Sequence, residues 1–88
     1  MTDAFTISIS ARAERDLGRL PEKISAACVE FIFGALVEAP YQVGGELGGE
    51  LAGLRSARRG AYRVIYRIDH AKALVEVIHI DHRADVYR

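Results

Sequence analysis

Residues 62–68 read YRVIYRI, and no other run in the chain constrains the fold so tightly. Read as a strand, the run places Tyr62, Val64, Tyr66 and Ile68 on one face and Arg63 and Arg67 on the other. One side is built to pack and the other carries guanidinium groups. The neighbouring segments extend the pattern. Leu74–Asp81 (LVEVIHID) is β-branched and mostly apolar, as expected of a central strand. Leu51–Arg58 reads as a strand before it, with turns at Arg59-Gly60-Ala61 and Asp69-His70-Ala71-Lys72.

Upstream, Phe5–Ser10 (FTISIS) alternates apolar and hydroxylated residues and predicts a half-buried strand. Ser10 then suits the cap of a helix over Ala11–Arg19, with Ala13, Leu17 and Leu20 on one face. Pro21 fits a first helical position, with Glu22 in the first turn. The stretch that follows carries Ile24, Ala27, Cys28, Phe31, Ala35 and Leu36 at three- and four-residue steps. It is an amphipathic helix that Ala39-Pro40 ends. The order β-α-α-β-β-β predicts a single α+β domain over residues 1–88: a small antiparallel sheet with two N-terminal helices packed on it. At this length roughly 60–65% of the surface is buried, so a partner adds useful stability.

The formal charge is zero, but it is unevenly spread. Residues 1–54 hold four basic residues against eight acidic, and residues 55–88 hold eight against four. Ten of the twelve basic residues are arginine, the side chain suited to bidentate phosphate contact. A basic functional face and a solvated sheet face with ordinary arginines both fit this pattern. The lone cysteine, Cys28, excludes an internal disulfide and belongs to a helix's apolar stripe, so it is expected to be buried and unreactive. No segment has the length or hydropathy of a membrane span, and a cytoplasmic protein is expected.

Two stretches invite ligand readings. GGELGGEL at 44–51 lacks the Lys-Ser/Thr of a phosphate loop, and its glutamates would repel phosphate. It is expected to be a connection, with Glu46 and Glu50 as weak candidates for a proton acceptor. The ending HIDHRADVYR (79–88) is dense in histidine and aspartate. A metal site needs three or four convergent ligands, and strand alternation separates His79 and Asp81 from His82. No metal site is expected. His79 reads as a satisfied sheet histidine and His70 as a turn residue.

Taken together, GAYRVIYRID and HIDHRADVYR within a strand, two helices, three strands order resemble the RelE/ParE toxin superfamily, with the nearer likeness to RelE-type toxins of type II toxin–antitoxin systems. The likeness runs from the FTIS opening to Tyr87. It implies a ribosome-dependent mRNA endonuclease in which the 2′-OH attacks the adjacent phosphate in the A site, with no metal or cofactor. By the same likeness, Arg63 would steady the phosphate, Arg83 would stabilise charge, and Tyr87 would orient the 2′-OH. His82 is a further catalytic candidate, because an imidazole has the right unperturbed pKa for proton transfer. The chain departs from the RelE pattern where two lysines are usual: it has Leu54-Arg55-Ser56. Arg55, Arg58 and Arg59 are therefore expected to supply the positive charge that meets RNA. The implied partners are the ribosome and mRNA, with a RelB-like antitoxin in a heteromeric complex. A ParE-like gyrase inhibitor, and a degenerate member that only binds its antitoxin, are alternatives on the same scaffold. The bland readings are an Arg63 that pairs with Glu76 or Asp85 and a Tyr87 that packs as a lid.

Overall fold

The computed structural model describes residues 4–82. Strand β1 (Thr6–Ile9) leads into helix α1 (Ala11–Arg19), and α2 (Glu22–Phe31) follows after one tight turn. Strands β2 (Gly45–Glu46), β3 (Arg55–Arg59), β4 (Tyr62–Asp69) and β5 (Leu74–His82) complete the sheet, whose order is β1-β5-β4-β3-β2. The α+β class and the two helices on the sheet match the sequence reading. The sheet itself is mixed: β1 lies parallel to β5, with Thr6 beside Leu74, while the other pairings are antiparallel.

Local chemistry accounts for most element ends. The Ser10 hydroxyl accepts from the Ala13 N–H at 3.0 Å and caps α1. Pro21 sits at the cap of α2, one residue outside the expected first turn. Gly60 adopts φ +56° in a two-residue hairpin turn, a conformation that costs glycine little. Asp69 Oδ1 accepts from the Lys72 N–H at 3.1 Å and closes the next turn.

Helix α2 continues through a π turn at Ile32–Leu36. The wider turn changes the phase of the apolar stripe. Phe31, Ile32 and Leu36 are buried, whereas Ala27 and Ala35, expected on the stripe, face outward. These side chains, with Ala13 and Cys28, meet Ala57, Tyr62, Val64, Tyr66, Val75, Val77 and Ile80 in one core. Tyr66 is fully buried, and its hydroxyl donates to the Pro40 carbonyl at 2.7 Å, so no polar group is left unpaired there. Cys28 lies inside the same core, and burial pushes its thiol up to about 11. It is inert at neutral pH.

The segment before β3 differs from expectation. Leu51–Leu54 is not strand: Gly49–Leu51 forms a 3₁₀ turn, the chain turns again at Gly53 with φ +94°, and β3 starts at Arg55 and runs on through Arg59. Apolar residues at 51 and 54 suggested pairing, but the glycines around them favour tight turns. The first GGEL contributes the short edge strand β2, with Gly45 opposite Ser56. Gly44 just before it is required by close approach. A Cβ there would lie 2.6 Å from both the Ser56 carbonyl oxygen and the Tyr66 hydroxyl. Gly44→Ala is therefore expected to destabilise the fold by about 1–3 kcal/mol through overpacking. Gly45→Ala, which meets nothing within 4 Å among the described residues, should stay within about 0.5 kcal/mol. Urea denaturation of the two variants measures the contrast.

Candidate functional site

The register of β3, β4 and β5 sorts the arginines by face. Tyr62, Val64 and Tyr66 point to the helices, so Arg63, Ile65 and Arg67 point away from them. Arg58 stands directly opposite Arg63, and on the other side of Arg63 stands Asp81. The outer face thus carries Arg58, Arg63 and Arg67 with Glu76 and Asp81. Arg67 donates through Nε to Glu76 Oε1 at 2.8 Å, and their charges offset. It is Arg67, rather than Arg63, that takes Glu76. Among the described residues Arg58 and Arg63 make no side-chain ion pair. Two like charges opposed across a strand pair oppose folding by a few tenths of a kcal/mol to about 1 kcal/mol. An anion seated between them removes that cost.

Arg55 and Arg59 lie on the other face. They stand opposite Tyr66 and Tyr62, toward the helices. Arg55 Nη2 donates to the Tyr41 and Gly44 carbonyls, both at 3.1 Å, and Nη1 lies 3.5 Å from Glu46 Oε2. Its guanidinium also stacks 5.5 Å from the Tyr41 ring centroid. Arg59 stands 4.7 Å over the Phe31 ring and donates to the Val43 carbonyl at 3.3 Å. Arg55 fastens the 41–46 segment to β3, and Arg59 links Val43 to Phe31 at the end of α2. Of the three arginines expected to meet RNA, Arg58 alone shares the face of Arg63.

The histidines and glutamates are sorted in the same way. His82 stands opposite Tyr62, so it lies on the helix side and the structure does not bring it together with Arg63. Glu46 pairs with Arg55 on that side too, and Glu50 lies in the 3₁₀ turn beyond β2. Neither glutamate reaches the outer arginines. His70 is a turn residue whose Nδ1 meets the Tyr41 hydroxyl at 3.0 Å. Arg83 and Tyr87 lie outside the described residues, as does Asp85.

Sequence reasoning missed Asp16. Beyond Val77 the strand β5 loses its neighbour β1, because the chain turns at Ser10 into α1. Side chains then replace the missing strand. The Ser10 N–H donates to the Val77 carbonyl at 2.9 Å and its hydroxyl donates to the Ile78 carbonyl at 2.7 Å. The Ile80 N–H donates to Asp16 Oδ2 at 3.0 Å, and His79 Nδ1 donates to the same oxygen at 2.7 Å. A β-bulge makes this possible: Ile65 pairs with His79 but Tyr66 with Val77, which leaves Ile78 as the extra residue. The bulge turns Ile80 into the core and sets His79 on the outer side, where its Nε2 contacts Asp81 Oδ1. His79 is thus the satisfied sheet histidine expected from sequence. Among the described residues no cluster of three histidine, cysteine or acidic side chains is arranged to hold a metal. The signal for Asp16 was present: it follows Ala13 by three and precedes Leu17, an acid on an apolar helix face.

Burial raises the Asp16 carboxyl, but the Ile80 N–H, His79 and Arg12 more than offset it and hold it below the usual aspartate range. A group depressed in the folded state contributes fully above its unfolded pKa, near pH 4, and loses that contribution as pH falls through the folded value. Asp16→Ala should cost about 1–3 kcal/mol at pH 7, since it orphans the Ile80 N–H. The gap from the unaltered protein should narrow as the pH drops from 4 toward 2. Urea titrations across that range test it.

The comparisons converge on one group of proteins. A family model described as the ParE toxin of type II toxin-antitoxin system, parDE, matches residues 7–87. Toxin RelE of Mycobacterium tuberculosis (strain ATCC 25618 / H37Rv) is 55% identical over 84 residues, covering 96% of this chain and 87% of that protein. Toxin RelG of the same strain is 51% identical over 84 residues, covering 96% and 97%. In the crystal structure of the RelBE2 toxin–antitoxin complex from Mycobacterium tuberculosis, one chain superposes with a TM-score of 0.90 at 48% identity, covering 92% of this chain and 100% of that one.

Proposed function

This chain belongs to the RelE/ParE toxin family of type II toxin–antitoxin systems, and on that premise we propose that it is a metal-independent endoribonuclease that cuts mRNA in the ribosomal A site. The observation that carries the reading is the opposed pair Arg58 and Arg63 on the helix-free face, a cationic seat for one backbone phosphate. The sequence runs from Asp81, the cross-strand partner of Arg63, to Arg83 two residues later and Tyr87 four beyond that. In this reading Tyr87 orients the 2′-OH for attack on the phosphate that Arg63 holds. Arg83 stabilises the charge that gathers on the phosphorane oxygens. An arginine pKa above about 12 suits it to that electrostatic work better than to donating a proton.

The missing lysines bear on this division of labour. Arg55 and Arg59 hold the 41–46 segment, so Arg58 is the β3 side chain assigned to RNA. His82, on the helix side, is assigned no part at the Arg63 phosphate. As the 2′-oxygen bonds phosphorus and the bond to the 5′-oxygen breaks, the 2′-OH proton passes to solvent water and the 5′-oxygen takes one from it, while fixed positive charge and alignment lower the barrier. Outside the ribosome, the RelBE2 likeness supports a RelB-like antitoxin as partner in a heteromeric complex.

Induction of the chain in cells, with transcript ends mapped, tests the reading. Cleavage within translated frames is expected. Arg63→Ala and Arg83→Ala should each lower it about 100-fold, the usual effect of removing one transition-state stabiliser. Growth arrest with intact transcripts, together with inhibited gyrase supercoiling, would replace the endonuclease reading with the ParE-like one.

A further inference from the structure

We propose that His79 is a positioning residue that keeps Arg63 available for phosphate by engaging Asp81, the carboxylate directly across the strand from it. The inference rests on the phosphate-binding role assigned to Arg63. It starts from an electrostatic conflict on the outer face. Arg63 and Asp81 are register partners on adjacent strands, at the spacing where opposite charges pair across a sheet. Left to itself, Asp81 is placed to neutralise the arginine assigned to RNA. In the structure Asp81 contacts His79 Nε2 instead, and Arg63 makes no ion pair among the described residues.

His79 is held for this task from behind. Its Nδ1 donates to Asp16 Oδ2 at 2.7 Å, and Asp16 is in turn fixed by the Ile80 N–H at 3.0 Å. Arg12 Nη2 stands 3.3 Å from His79 Nε2, but Asp81 stands closer to that nitrogen. The chain Asp16–His79–Asp81 therefore holds the Asp81 carboxylate against the ring, where it makes no ion pair with Arg63. The bulge at Ile78 is what sets His79 on the outer side of the sheet, on the same face as Arg63 and Asp81.

The test follows the Arg63 side-chain Nε–H resonance in the folded full-length chain while a 2′-O-methylated, uncleavable RNA oligonucleotide is titrated in. His79→Ala should release Asp81 onto Arg63 and weaken RNA binding about fivefold, the scale of one exposed ion pair. Asp81→Asn in the His79→Ala background should restore the affinity, a rescue that a purely structural role for His79 would not show. Asp81→Asn alone should strengthen binding by less than it does in that background. If His79→Ala fails to fold, His79→Gln, which reaches one carboxylate only, replaces it with the same expected direction. Unchanged binding on His79 substitution, or no rescue by Asp81→Asn, overturns the inference and leaves the role of Arg63 standing. An Arg63 resonance that RNA does not move in the unaltered protein overturns the role of Arg63 as well.

Discussion

The Ile80 N–H needs an acceptor, and much of the molecule is arranged around supplying it. Strand β5 lies between β1 and β4, yet β1 ends at Ile9 while β5 runs on to His82. A central strand that outlasts its neighbour exposes backbone groups at the edge of a core, each costing about 1–3 kcal/mol if unpaired. Ser10 and Asp16 settle that edge with side chains on and just before α1. The same carboxylate orients His79. One buried acid therefore joins the helix to the sheet and orients the side chain that contacts Asp81, the cross-strand partner of Arg63.

Sidedness then decides which charges can act together. The alternation along β4 puts three tyrosine and valine side chains into the core and turns Arg63 and Arg67 outward. One step along β3 separates Arg58, which shares their face, from Arg59, which stacks on Phe31. Chemically similar residues one position apart thus take unrelated jobs. On the helix side, arginine acts as a long, stackable hydrogen-bond donor to carbonyls. On the outer side, it acts as a charge held against another charge.

Much of this was legible in the sequence. The alternation at 62–68 and the Ser10 cap each express one local rule and are found in the structure, as are Cys28, Phe31 and Leu36 of the stripe expected on α2, though not Ala27 and Ala35. The family likeness rested on GAYRVIYRID and HIDHRADVYR and agrees with the comparisons. What stayed hidden depends on non-local pairing. The Ile78 bulge moves His79 and Ile80 to faces that strict alternation would not give them, and only the register with β4 reveals it. The π turn exchanges Ala35 for Ile32 in the stripe. The parallel β1–β5 pairing, the two-residue β2 and the burial of Asp16 arise from segments far apart in sequence, so no short window carries their signal. For the site, the sequence named Arg58 and Arg63, but it could not divide the arginines or place His82 by face.

The pairing of Thr6 with Leu74 and of Ile9 with Val77 gives the sheet a temporal property as well as a shape. The strand made first finds its neighbour only in the strand made last. During synthesis, β1 and both helices leave the ribosome well before β5, the strand that β1 pairs with. Such long-range closure slows folding relative to local helix formation. Closure of the β1–β5 edge therefore waits on a strand made about seventy residues later.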